Sequence, residues 1–175
     1  MALGRLFAFA ALVGTWLGAS VSPGFATKDA ALTTSGLPVP RYVSLKSDHV
    51  NVRAGPTKDN DVAWVYTRSG LPVEITAEFE NWRRVRDSEG AEGWVYHSLL
   101  SGRRTAVVTM KNKDDLASLY DCADSSSAIA ARLQAGVVAQ VKKCDAHWCH
   151  IAGQGFDGWI EQQRLWGVYA DEHVN

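Results

Sequence analysis

Cys144-x-x-His147-x-Cys149-His150 is the densest run of reactive side chains in the sequence, and three chemistries are open to it. A structural zinc site needs four nitrogen or sulfur ligands. On a strand Cys149 and His150 point to opposite faces, which leaves two sulfurs and a turn histidine. No metal and no other cofactor is therefore expected. A hairpin that pairs Asp145 with Trp148 also sets Cys144 directly across from Cys149, where alpha carbons about 4.5 to 5.5 Å apart are within disulfide reach. Cys122 with His150 is a conceivable hydrolase pair, but such an enzyme needs a further helical domain that this chain does not supply. His49, His97 and His173 have no sequence-level partner, and neither a phosphate loop nor a His-Glu-x-x-His element is present. No catalytic residue is expected. Cys122 is left over, to be buried and inert, to pair with another chain, or to compete for a hairpin cysteine.

The aromatic residues offer binding chemistry instead. If Val85 and Val95 point inward, alternation turns Trp82, Arg84, Trp94 and Tyr96 the other way. A register pairing Val85 with Gly93 then sets Arg84 across from Trp94 and Trp82 across from Tyr96, an aromatic platform beside a cation. The same register in a second hairpin groups Trp148, His150 and Trp159 with Glu161. Such a face suits stacking on sugar rings or holding a peptide, each exposed cation–aromatic contact contributing about 0.5 to 1 kcal/mol. It requires Trp82 and Trp94 to be exposed to solvent. The competing reading is that a bulge turns Trp82 and Trp148 inward, or that the tryptophans cap a core or fill a seam between domains. Asn51 and Arg53 share a face opposite Val50 and Val52, solvated or fixing the turn at Gly55-Pro56.

The elements that must position these residues are written twice. Trp148 follows Trp82 by 66, as Gly136 follows Gly70 and Ile151 follows Val85, while Trp159 follows Trp94 by 65. Repetition at fixed spacing marks a duplicated module. Glu78 and Arg83 stand in the first copy where Cys144 and Cys149 stand in the second, so one cross-strand contact is used twice, once as an ion pair. Short alternating runs between turn signals place strands at 41–45, 50–53, 62–66, 73–77, 82–86 and 93–96, and Thr105–Thr109 is expected to close the first barrel. Ala128–Ala135 is Ala-rich, but its place in the repeat makes it a strand.

Arg5 ahead of an apolar run from Leu6 to Leu17, then a small-residue stretch ending at Ala26, reads as a cleaved signal peptide over 1–26. The run is short of the roughly 20 residues a bilayer span requires. A disordered linker is expected over 27–40, a first barrel over 41–110, a second over 111–170 and a tail over 171–175. Without Arg5 the chain carries 17 Lys and Arg against 19 Asp and Glu, a net of −2, so no electrostatic footprint for nucleic acid is visible. The expected address is periplasmic or secreted.

Val50-Asn51-Val52-Arg53-Ala54-Gly55-Pro56, Gly70, Trp82-x-x-Val85 and Gly93-Trp94-Val95 together resemble the bacterial SH3-like domain family. The second copy is similar at Gly136, Trp148-x-x-Ile151 and Gly158-Trp159-Ile160, and departs where Ser118, Tyr120, Cys122 and Ala123 replace the Asn-x-Arg-x-Gly-Pro element. The resemblance implies an all-β chain of two tandem small barrels that bind rather than catalyse, with peptidoglycan or an envelope peptide or protein as partner. A structural role in the envelope, with the aromatics used for packing, stays open beside it.

Overall fold

The computed structural model describes residues 34–112, 115–145 and 147–175. The expected signal peptide and residues 27–33 lie outside the described residues. The first sheet is built from β1 (Arg41–Leu45), β2 (Val50–Arg53), β3 (Val62–Tyr66), β4 (Pro72–Phe79), β5 (Trp82–Arg86), β6 (Glu92–Tyr96) and β7 (Leu100–Ser101). The second has β8 (Thr105–Val108), β9 (Leu116–Tyr120), β10 (Ile129–Gln134), β11 (Val138–Asp145), β12 (Trp148–Gly153), β13 (Phe156–Glu161) and β14 (Leu165–Trp166), with β15 (His173–Val174) added against β11. Among the described residues no helix is long and apolar enough to cross a membrane.

Strand order is β3-β2-β6-β5-β4-β1-β7 in the first sheet and β10-β9-β13-β12-β11-β8-β14 in the second. Adding seven to each label of the first gives the second. The duplication is therefore one of whole topologies, and β8 is the counterpart of β1. Thr105–Val108 does not close the first barrel: it pairs with β11 and β14, and the boundary falls between Ser101 and Thr105. Its alternation fits either partner, and all four residues are buried, so the local pattern does not say which sheet owns it. Ala128–Ala135 contains strand β10, as its place in the repeat requires.

Each sheet coils around its own core. Val43, Leu45, Val50, Val52, Val73, Ile75, Val85 and Val95 fill the first, and Leu119, Leu133, Val141, Ile151 and Ile160 are among those filling the second. Full burial of each such side chain contributes about 1.5 to 3 kcal/mol. The repeated Gly-Trp-Val/Ile motif has a packing cause. A Cβ on Gly93 would meet Val52 Cγ1 at 2.4 Å, and one on Gly158 would meet the Tyr120 carbonyl oxygen at 2.7 Å. Only glycine lets β6 and β13 close over β2 and β9.

Domains this small are marginal alone, and the two barrels share a seam. Tyr42 on β1 packs edge-on against Trp166 on β14, with centroids 5.1 Å apart, and against Tyr169 at 4.6 Å. The Tyr169 hydroxyl donates to Glu74 at 3.0 Å, whose other oxygen accepts from Arg86. Arg68 donates across the seam to the Gly136 carbonyl at 2.9 Å. Burial, with Glu74 beside it, pushes the Tyr42 phenol up to about 12.

Both ends of the chain depart from expectation. Residues 34–40, expected as disordered linker, are held on the first barrel: the Ser35 amide and hydroxyl donate to Glu78, and Val39 packs on the core. The tail is strand β15, pairing His173 with Asp145 and Val174 with Cys144. Arg104 ties it down through Glu172.

Candidate functional site

The register expected from the sequence is the one observed. Val85 pairs with Gly93, Arg84 with Trp94 and Trp82 with Tyr96; in the second barrel Ile151 pairs with Gly158, His150 with Trp159 and Trp148 with Glu161. Bulges occur one strand away, between Ile75 and Ala77 on β4 and between Val141 and Lys143 on β11. They leave β5 and β12 unturned, so Trp82 stays off the core cluster, on the outer face.

The platform itself divides. Trp82 is only 8% exposed, which corrects the expectation of a solvent-exposed ring there; Tyr96 stands edge-on against it at 5.4 Å. Arg84 is drawn to Glu92 at 2.7 Å and so is not a free cation over Trp94, which is half-buried. What remains open at the Trp82 end is a groove of about 180 Å3 lined by Asn51, Arg53, Lys58, Trp82, Tyr96 and Leu99.

Local sequence explains how this groove acquires its cations. Arg53 donates to the Asn60 carbonyl, while the Asn60 side-chain oxygen accepts from the Thr57 amide and hydroxyl. A Cβ on Gly55 would strike that side chain at 2.4 Å. The Asn-x-Arg-x-Gly-Pro element thus folds the loop 54–61 back on itself and carries Lys58 to the groove. Asn51, Arg53, Lys58 and Leu99 were not legible as site residues, because the loop that assembles them closes through Asn60, whose role no local pattern announces. Asn51 and Arg53 sharing one face was the available signal.

The second barrel fills the same place differently. Tyr120, at the position of Arg53, packs edge-on against Trp148 at 5.6 Å. The counterparts of Tyr96 and Leu99 are Glu161 and Arg164, which pair with each other at 3.3 Å. His150 lies flat on Trp159, with rings 5.1 Å apart and 15° from parallel, and binds Asp157. Trp148, His150 and Trp159 therefore share one face, each engaged by a neighbour.

Cys144 and Cys149 form a disulfide at paired positions of β11 and β12. Both sulfurs are consumed, so they are not metal ligands in this state. Cys122 is exposed and free of any disulfide. In the first barrel Glu78 and Arg83 hold the matching positions, with Arg83 Nε 3.1 Å from the carboxylate.

The bacterial SH3 domain matches this sequence at residues 46–102 and again at 113–167. The chain belongs to the bacterial SH3 domain family. Both matches fall on a sheet described above, so this is a tandem of two bacterial SH3 domains. Among solved structures, NlpC2 from Trichomonas vaginalis is similar at 16% identity and a TM-score of 0.32, over 73% of this chain and 48% of that one. NlpC1 from the same organism is similar at 17% identity and a TM-score of 0.31, over 82% of this chain and 51% of that one. This chain spans about half the length of either. No curated protein matches it.

Proposed function

We propose that this tandem bacterial SH3 protein is an exported, non-catalytic binding module of the cell envelope, and that its first domain takes peptidoglycan through the groove beside Trp82. The observation that carries this reading is the pairing of an aromatic wall, Trp82 and Tyr96, with Arg53 and Lys58 in one concave site. Peptidoglycan offers the complement: carboxylates on its peptides for the cations, and sugar or alkyl surface for the rings. The second domain, with Tyr120 and the Glu161–Arg164 pair in the corresponding place, contributes little to that contact. The chain's export is inferred from the amino-terminal pattern, with a periplasmic or secreted address.

A second reading has its own support. Tyr42, Trp166 and Tyr169 are spent on the seam between domains, and Trp82 is covered rather than offered. This favours a protein-interaction role in which the aromatics pack and an envelope protein is the partner. Retention of residues 27–175 on purified insoluble peptidoglycan separates the two. A folded protein that is not retained sends the search to envelope proteins.

A further inference from the structure

The seam between the domains holds a second concave site, remote in character from the groove. It is a cleft of about 550 Å3, within the size range of small-molecule sites, about 300 to 1,000 Å3. Lys46, Arg68 and Arg103 line it, and among its described lining residues there is no carboxylate and no aromatic ring. Ser69, Ser101 and Gln140 add polar side chains to the lining. In a chain whose formal charge is slightly negative, three cations gathered without a counter-charge repel one another at a cost that an anion would remove.

Two details show that the cations are held ready. Lys46 is positioned by the Ser98 carbonyl, and Arg68 by the Gly136 carbonyl of the opposite domain. Arg103 makes no ion pair and no side-chain hydrogen bond in the described structure, leaving its whole fork of donors for a ligand. Thr105, on the β8 wall of the same cleft, is 5% exposed, and its Oγ1 has no hydrogen-bond partner. Buried hydroxyls are normally satisfied, so one left over beside an uncompensated cationic cleft points to a missing polar partner.

We infer that this cleft binds an oxyanion on a hydroxyl-rich small ligand, an acidic or phosphorylated sugar. The cations take the oxyanion, while the Ser69, Ser101 and Gln140 side chains take hydroxyls. The inference does not rest on the groove at Trp82, and either site can fail without the other.

The test is a titration of uniformly 15N-labelled residues 27–175, disulfide intact, with glucose 6-phosphate, with glucuronate and with glucose, followed by amide shifts. Saturable shifts at Gly70, Ser101, Arg103, Thr105 and Gln140 are expected with at least one charged sugar and not with glucose. The charged sugar that binds identifies the source of the oxyanion as phosphate or carboxylate. Arg103→Gln, an exposed change that touches no seam contact, should weaken binding about tenfold, while Lys58→Ala in the groove should leave it unchanged. Absence of saturable cleft shifts with both charged sugars overturns the inference. So do shifts that glucose reproduces, or that Arg103→Gln leaves intact in a protein whose seam resonances are those of the parent.

Discussion

Glu78 and Arg83 face each other across β4 and β5 at the hairpin position that Cys144 and Cys149 occupy in the second domain. The Glu78 side chain is wholly buried, and besides Arg83 it receives Arg41 and the Ser35 amide and hydroxyl. Removing one partner of a buried pair strands the other charge, at a cost of about 3 to 5 kcal/mol. Glu78→Ala should therefore lower the stability of the first domain by that order in chemical denaturation. It should also release residues 34–40 to limited proteolysis, since their anchor is the same carboxylate.

The disulfide should matter less. It closes a loop far shorter than the 15 residues for which chain entropy gives about 3 kcal/mol, and both sulfurs lie within a core that stays apolar without the bond. A Cys144→Ala, Cys149→Ala double variant is expected to fold and to lose less than about 3 kcal/mol, read by thermal unfolding of oxidised parent and variant side by side.

Equivalent glycines make unequal demands. Gly167 has φ +121, and a Cβ there would meet the Thr105 carbonyl oxygen at 2.5 Å and Pro72 of the other domain at 3.1 Å. Gly102, its counterpart in the repeat, would meet nothing within 4 Å. Gly167→Ala should cost about 1 to 3 kcal/mol from backbone strain and loosen the seam, while Gly102→Ala should lie within about 0.5 kcal/mol of the parent. Melting temperatures of the two variants check the contrast.

Alkaline pH should open the seam before it unfolds the domains. Burial, and then Glu74, hold Tyr42 up to about 12; burial and the Glu74 hydrogen bond raise Tyr169 further. A folded pKa above the unfolded value gives stability that is complete below the ordinary tyrosine value of 10.0 and is lost as pH rises through the folded one. Phenolate absorbance should show Tyr42, Tyr66 and Tyr169 ionising late, with loss of seam order above pH 10.0. The acid side runs the other way at Glu172. Burial alone would raise it, but hydrogen bonds from Arg104 and the Tyr169 amide hold it below its ordinary 4.5, so its contribution is present above that value and is lost as pH falls through the lowered one.

Much of this was legible because a duplication supplies its own alignment. The cross-strand partners of Trp82, Arg84, Cys144 and Glu78 follow from alternation once the hairpin turn is placed, since a slip of one residue would invert every face. The domain that owns strand β8 is not legible, because Thr-Ala-Val-Val carries no mark of its partner and its Val108 follows the matching Leu45 of β1 by 63 residues, short of the 65 or 66 that separate the tryptophans. The burial of Trp82 is not legible for a different reason. Alternation says which face a side chain takes, not what lies over that face, and here Tyr96 stands edge-on against a ring that is left 8% exposed. Strand β15 is two residues long, too short for any periodicity to announce it.

The most direct measurement is co-sedimentation of residues 27–175 with purified insoluble peptidoglycan, beside a Lys58→Ala, Tyr96→Ala variant and the Arg103→Gln variant, each shown to be folded. These changes spare the Trp82 indole itself, whose truncation would carry a core-like penalty of about 3 to 5 kcal/mol. Retention of the parent and of Arg103→Gln, with loss of the groove variant, is the expected result. Equal retention of all three would contradict binding through the groove, and no retention of the folded parent would contradict the wall-binding function.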